Sequence, residues 1–163
     1  MASDPLATLA KRVGARLKAR GMMLATAESC TGGWVAQAVT AIAGSSEWFE
    51  RGFVTYSDAA KQEMLGVSAA TLARHGAVSE QTAREMAAGA LAHSRAQVAL
   101  AITGIAGPGG GSPEKPVGTV CFAWSRKGAP PLAQTRQFRG NRDSVRRQSV
   151  RAALRGVLDL LKG

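Results

Sequence analysis

Two short stretches constrain this chain more than any other part of it. Residues 22–28 (MMLATAE) and 97–103 (QVALAIT) are built from small, apolar and β-branched side chains, with no charge before Glu28. A continuous apolar run of this length, without polar alternation, reads as a strand buried on both faces. Such a strand sits inside a sheet covered by helices on both sides. Only 5% of the residues are aromatic, so the core must close on Ala, Val, Leu and Ile, which suits closely packed helices on a sheet.

The rest of the chain supplies those helices and the remaining strands. Residues 5–20 repeat Leu6, Leu9, Val13 and Leu17 at three- and four-residue steps with Lys and Arg opposite, and Gly21 is placed as the C-cap. Residues 34–42 form a second helix that stops near Gly44. Residues 49–57 (FERGFVTYS) alternate and end in β-branched and aromatic residues, as a strand does. Asp58 caps a short helix carrying Ala59, Lys61, Met64 and Leu65, ended by Gly66. Ser79 is the N-cap of a stronger helix, with Glu80 in its first turn and Ala83, Met86, Ala87, Ala90 and Leu91 as its buried stripe. Residues 104–116 (GIAGPGGGSPEKP) are a Gly- and Pro-rich loop. Residues 117–124 and 131–139 flank a turn at 127–130 and read as a hairpin. A last helix runs from Asn141 to Lys162 with Val145, Val150, Leu154, Val157, Leu158 and Leu161 inward. This order predicts a three-layer α/β/α sandwich around a mixed, mainly parallel sheet. With no repeat and no linker, residues 1–163 read as one domain. Sites in such sheets form where loops leave the C-terminal strand ends, which singles out 28–33, 56–61 and 103–116.

Charge narrows the function. The 163 residues hold 21 Lys+Arg against 11 Asp+Glu, and ten of those cations but two of the acids fall in residues 126–163, so +8 of the net +10 lies there. A basic segment asks for an anionic partner: nucleic acid, a membrane surface or a phosphorylated small molecule. No apolar run approaches a membrane span, and MASDPLATLAKRVG lacks the pattern of a signal peptide. Cys30 and Cys121 make no disulfide framework, so the expected setting is a cytoplasm with both thiols reduced. His75 and His93 stand apart, without CxxC or HExxH spacing, and no metal site is expected. There is no helix-turn-helix or zinc-finger signal and few aromatics interleave the arginines, which speaks against nucleic acid.

Four segments could carry chemistry. In Glu28-Ser29-Cys30-Thr31-Gly32-Gly33 a serine stands between a strand and a helix. Either Ser29 or Thr31 simply caps that helix, or the hydroxyl reacts while outward-facing amides at the helix start hold an anion. In Tyr56-Ser57-Asp58-Ala59-Ala60-Lys61 the lysine is either a solvated charge or a partly buried base; neither histidine falls in the candidate loops, so lysine is the better partner for a serine. Thr103-Gly104-Ile105-Ala106-Gly107-Pro108 follows a strand and reads equally as an anion-cradling loop or a flexible surface loop; it is neither a P-loop nor GxGxxG. In Phe138 to Arg147, Asn141 or Asp143 caps the final helix, and Arg142 and Arg146 lie on one side of its first turns, suited to a phosphate. Arg147, Arg151 and Arg155 read as a solvated face.

Taken in order, TAESCTGG, FxRGFVTYSDAAK, HGAVSE, ITGIAGPGGG with EKPVGTV, and FRGNRDSVRRQ resemble the C-terminal domain of the CinA (competence-damage-inducible) family in its stand-alone form, over residues 6–161. The resemblance implies an α/β/α amidase that hydrolyses the carboxamide of nicotinamide mononucleotide to nicotinate mononucleotide and ammonia, in pyridine nucleotide salvage. It implies no metal and no cofactor, and a homodimer or higher homo-oligomer. Ser29 matches the family's nucleophile, Lys61 its base, and Tyr56 a residue that orients or relays. The backbone around Thr31, Gly32 and Gly33 would hold the oxyanion, Thr103 and Gly104 would line the pocket, and Arg142 would bind phosphate. The competing reading is a non-catalytic nucleotide- or DNA-binding module linked to competence or DNA damage.

Overall fold

The computed structural model describes residues 5–162. In chain order they form α1 (Pro5–Ala19), β1 (Leu24–Glu28), α2 (Trp34–Thr40), a 3₁₀ turn (Ser45–Glu47), β2 (Phe49–Val54), α3 (Asp58–Leu65), α4 (Ala69–His75), α5 (Glu80–Ala92), β3 (Val98–Gly104), β4 (Thr119–Arg126), β5 (Leu132–Gln137) and α6 (Arg142–Leu160). The five strands make one sheet in the order β2-β1-β3-β4-β5. Pairing is parallel from β2 to β1 to β3 and antiparallel from β3 to β4 to β5, so only β4 runs against the others. Helices cover both faces, and the architecture is the three-layer α/β/α sandwich.

The strand period of two divides the sheet into a bulky face and a small one. Leu24, Val98, Leu100, Ile102, Val120, Phe122 and Trp124 pack with α1, α2 and α6. Ala25, Ala27, Ala99, Ala101, Cys121 and Ala123 pack on the other side against Ala83, Met86, Ala87 and Ala90 of α5. Short side chains on both surfaces bring α5 close to the sheet. It also runs close to α3: a Cβ on Gly89 would stand 1.9 Å from the Leu65 carbonyl oxygen.

Some boundaries and caps differ from the sequence reading. The helix α4 was not anticipated. Ser68 caps it by accepting from the Ala70 and Thr71 N–H groups, but it has no fully buried residue and only Leu72 packs on the core, so the sequence holds no apolar period to read. Ser57, not Asp58, caps α3, because its hydroxyl accepts from the Ala60 N–H. Asn141 rather than Asp143 caps α6, accepting from the Ser144 N–H. Ser79 caps α5 as expected, through the Thr82 N–H. Among the described residues no helix is long and apolar enough to cross a membrane.

The register positions the site. Glu28 is paired with Val54 on one side and with Ile102 on the other, so β1 and β2 end level, while β3 runs on to Gly104 against β4. The ladders extend one residue further: the Ser29 N–H donates to the Ile102 carbonyl at 3.0 Å and the Thr55 N–H to the Glu28 carbonyl at 2.8 Å. Ser29 and Thr55–Tyr56 therefore leave the sheet beside Thr103 and Gly104, the last residues of β3.

Candidate active site

The three loops enclose a cleft of about 250 Å³ whose walls include Ser29, Tyr56, Lys61, Thr103, Gly104 and Arg142. Lys61 comes from α3, the helix that follows β2. Its side chain is 1% exposed, an unusual state for a lysine. Its amine lies 2.9 Å from the Thr55 carbonyl, 3.2 Å from the Tyr56 carbonyl and 3.0 Å from Ser29 Oγ. Ser29 Oγ is also 3.5 Å from the Tyr56 carbonyl oxygen.

Burial pushes the Lys61 amine below the ordinary lysine value, while the Asp58 carboxylate and then Cys30 act in the opposite direction. A neutral amine has two N–H groups and one lone pair. The two carbonyls can take both N–H groups, leaving the lone pair to accept from the Ser29 hydroxyl. This is the arrangement a base needs beside a serine. The neighbouring Cys30 is no rival nucleophile. Burial pushes its thiol up to about 12, although Arg146 opposes the shift.

The start of α2 does not have the form expected from sequence. Neither Ser29 nor Thr31 caps it; Gly33, at φ +103°, occupies the N-cap position without a side-chain hydrogen bond. The helix amides expected to face outward are taken by a carboxylate. Glu28, 1% exposed, turns in beneath the loop and accepts from Thr31 Oγ1 at 2.7 Å, Val35 N–H at 2.9 Å and Ala36 N–H at 3.1 Å. The Gly32 N–H is spent on the Ser29 carbonyl. Thr31, Gly32 and Gly33 thus belong to the turn after Ser29 and are not among the residues that line the cleft.

Two further expectations separate in the same way. Arg142, the first residue of α6, lines the cleft: one guanidinium nitrogen donates to the Gly107 carbonyl at 2.9 Å and another to the Tyr56 hydroxyl at 3.4 Å. Arg146, one turn on, does not line it. Its guanidinium donates to the Cys30 carbonyl at 3.0 Å and the Thr31 carbonyl at 3.2 Å, and stacks over the Trp34 ring. Arg147 also lies over Trp34, and it is exposed like Arg151 and Arg155, as a solvated face requires. Tyr56 reaches the Ser29–Lys61 pair through its backbone carbonyl, while its exposed ring points to Arg142. Thr103, buried, donates from Oγ1 to the Ala77 carbonyl and fixes the loop whose Ala77 and Val78 form another wall.

The sequence reading did not single out Glu28, Asp58, Ala77 or Val78 for the site. Glu28 carried a signal: a carboxylate closing an otherwise apolar strand must find donors or cost the fold several kcal/mol, on the order of the penalty for an unpaired buried charge. Among the described residues no three His, Cys, Asp or Glu side chains gather in a way that could hold a metal ion.

Comparison with known proteins gives the family and its relatives. The CinA C-terminal domain profile matches residues 6–161. The chain is 57% identical over 154 residues to nicotinamide-nucleotide amidohydrolase PncC of Escherichia coli (strain K12), covering 94% of this chain and 93% of that one. It is 51% identical over 157 residues to the PncC of Pseudomonas putida, covering 96% and 98%. The crystal structure of the competence/damage inducible protein CihA from Agrobacterium tumefaciens superposes with a TM-score of 0.95 at 48% identity, covering 99% of this chain and all of that one.

Proposed function

Because this chain belongs to the CinA C-terminal domain family, we propose that it hydrolyses the carboxamide of nicotinamide mononucleotide with Ser29 and Lys61 as its reacting pair. It is an amidohydrolase of nicotinamide nucleotide, like the PncC proteins it matches at 51–57% identity over nearly their whole length. The observation that carries the mechanism is the Lys61 amine, buried and 3.0 Å from Ser29 Oγ at the wall of the cleft.

In this reading Ser29 Oγ attacks the carboxamide carbon while Lys61 Nζ takes the hydroxyl proton. The carbonyl π electrons move to oxygen, and the new ammonium on Lys61 lies beside the oxyanion. The intermediate collapses with cleavage of the C–N bond, and Lys61 returns its proton to the departing ammonia. The nicotinoyl ester left on Ser29 is attacked by water, whose proton Lys61 takes. The ester bond breaks, Ser29 regains a proton, and nicotinate mononucleotide leaves. A primary carboxamide is a poor electrophile, so the serine needs a neutral amine, and the downward shift from burial favours that form. Arg142 at the cleft wall suits the phosphate through charge-assisted hydrogen bonds. Thr103 and Gly104 shape the opposite wall; a Cβ on Gly104 would stand 2.8 Å from Val120 Cγ2, so only glycine fits there without a shift. The same reading sets the reaction in cytoplasmic pyridine nucleotide salvage, carried out by a homodimer or higher homo-oligomer.

Ammonia release from nicotinamide mononucleotide by the unaltered protein and by Ser29→Ala tests this. The unaltered protein should release ammonia and nicotinate mononucleotide in equal amounts, and Ser29→Ala should lose at least about 10³-fold in kcat. No release from the unaltered protein, or full activity in Ser29→Ala, refutes it.

A further inference from the structure

The turn that carries Ser29 is gripped from two sides by opposite charges, and neither charged group lines the cleft. On one side Glu28 accepts from the Val35 and Ala36 N–H groups and from Thr31 Oγ1. On the other Arg146 donates to the Cys30 and Thr31 carbonyls. The two side chains thus hold complementary halves of the backbone, N–H groups on one side and C=O groups on the other. Arg146 comes from α6, more than a hundred residues along the chain, so the nucleophile loop is tied to the helix that also carries Arg142. Ser29 itself is fixed at both ends, by its N–H on the Ile102 carbonyl and its own carbonyl under the Gly32 N–H.

We infer that Glu28 and Arg146 are positioning residues for Ser29: together they hold the turn so that Oγ stays at hydrogen-bond distance from Lys61, and Arg146 is no ligand of the substrate phosphate. This rests on the serine–lysine reading above. Its physical basis is the steep dependence of attack on placement, in which a shift of about 1 Å costs on the order of 10²-fold in rate. Both residues are isolated from substrate by the loop itself, so their loss should alter the reaction rate and leave binding intact. Two carboxylate oxygens receive three hydrogen bonds, and a glutamine would oppose one of those donors with its own NH₂. A lysine in place of Arg146 keeps the charge but cannot present the two-pronged donor that spans adjacent carbonyls.

Kinetics of Glu28→Gln and Arg146→Lys with nicotinamide mononucleotide test this, beside Ser29→Ala and the unaltered protein. Each variant is checked by thermal melting, and the inhibition constant of nicotinate mononucleotide serves as a measure of binding. The expected result is a fall in kcat of about 10–100-fold in both variants. KM and the inhibition constant should stay within about threefold of the unaltered protein. Unchanged kcat in both variants overturns the inference. So does an Arg146→Lys effect confined to KM and the inhibition constant, since that is the signature of a phosphate ligand. If Glu28→Gln fails to fold, Arg146→Lys decides alone. Retained activity in Ser29→Ala instead overturns the serine reading and this inference with it, so the two failures are distinct.

Discussion

Replacing Lys61 by methionine separates what this side chain does for the fold from what it does for the reaction. Methionine has nearly the same length and fills the same buried channel, but has no amine. Three hydrogen bonds are lost, to Ser29 Oγ and to the Thr55 and Tyr56 carbonyls. Each such bond contributes a net of about 0.5–1.5 kcal/mol, and the two carbonyls lose a partner. Against this, the amine no longer has to be withdrawn from water, the effect that lowers its pKa, and the methionine thioether packs as an apolar group. The opposing effects leave a net change smaller than about 2 kcal/mol, or roughly 4–8 °C in Tm for a chain of this size. Activity has no such offset: loss of a general base costs about 10²–10⁴-fold. Lys61→Met should therefore be folded and nearly inactive in ammonia release. The same variant carries a pH signature. The folded-state value of Lys61 lies below its unfolded value, so as pH falls the unfolded chain binds the proton first. Stability then rises with pH between the two values, and below the lower one the full penalty is present. Denaturant melts of the unaltered protein should show this upward slope on approach to the ordinary lysine range, and Lys61→Met should lose it. A Lys61→Met protein that keeps more than about a tenth of kcat, or a Lys61→Arg protein that equals the unaltered one, would refute the base assignment, because arginine has no accessible neutral form.

Other outcomes follow from the same geometry. Asp58 raises the Lys61 value, so Asp58→Asn should move the rising limb of the kcat–pH profile to lower pH; a shift to higher pH would contradict the electrostatic account. Arg142→Ala should raise KM for nicotinamide mononucleotide more than for nicotinamide riboside, and equal changes in steady-state kinetics would remove Arg142 from the phosphate site. Gly89→Ala forces a methyl group to within 1.9 Å of the Leu65 carbonyl oxygen where α3 and α5 meet, and should destabilise the fold by about 1–3 kcal/mol in urea melts. Cys30, with its thiol pushed up to about 12, should resist iodoacetamide at pH 8 in the native protein and react once unfolded, as read by mass spectrometry.

The position of the site was legible before any of its geometry. Parallel neighbours put their C-terminal ends at one edge of the sheet, and the segments around Ser29, Tyr56–Lys61 and Thr103 do meet in one cleft there. Ser29, Tyr56, Lys61, Thr103, Gly104 and Arg142 line it as read, but Thr31, Gly32, Gly33 and Arg146 do not. Arg142 and Arg146 look equivalent as cations one helical turn apart, yet one reaches the cleft and the other is occupied by two loop carbonyls. Glu28 read as the end of a strand, and its carboxylate turned out to cap the following helix. The helix α4 was missed because it has no fully buried residue and only Leu72 packs on the core, which leaves no apolar period in the sequence.

Apart from α4, the sequence by itself determined the class and order of the main helices and strands, because hydrophobic period, capping residues and Gly–Pro breaks are local properties of the chain. It settled that Ser79 would start a helix, and that residues 97–103 would supply a buried strand. Only the tertiary structure decided that Lys61 loses its water and meets Ser29, that Asn141 rather than Asp143 caps α6, and that Glu28 and Arg146 are spent on backbone groups. A charged side chain goes where packing leaves unpaired donors, acceptors or water, and those are fixed by elements distant in sequence, such as the α6 helix closing over the loop after β1.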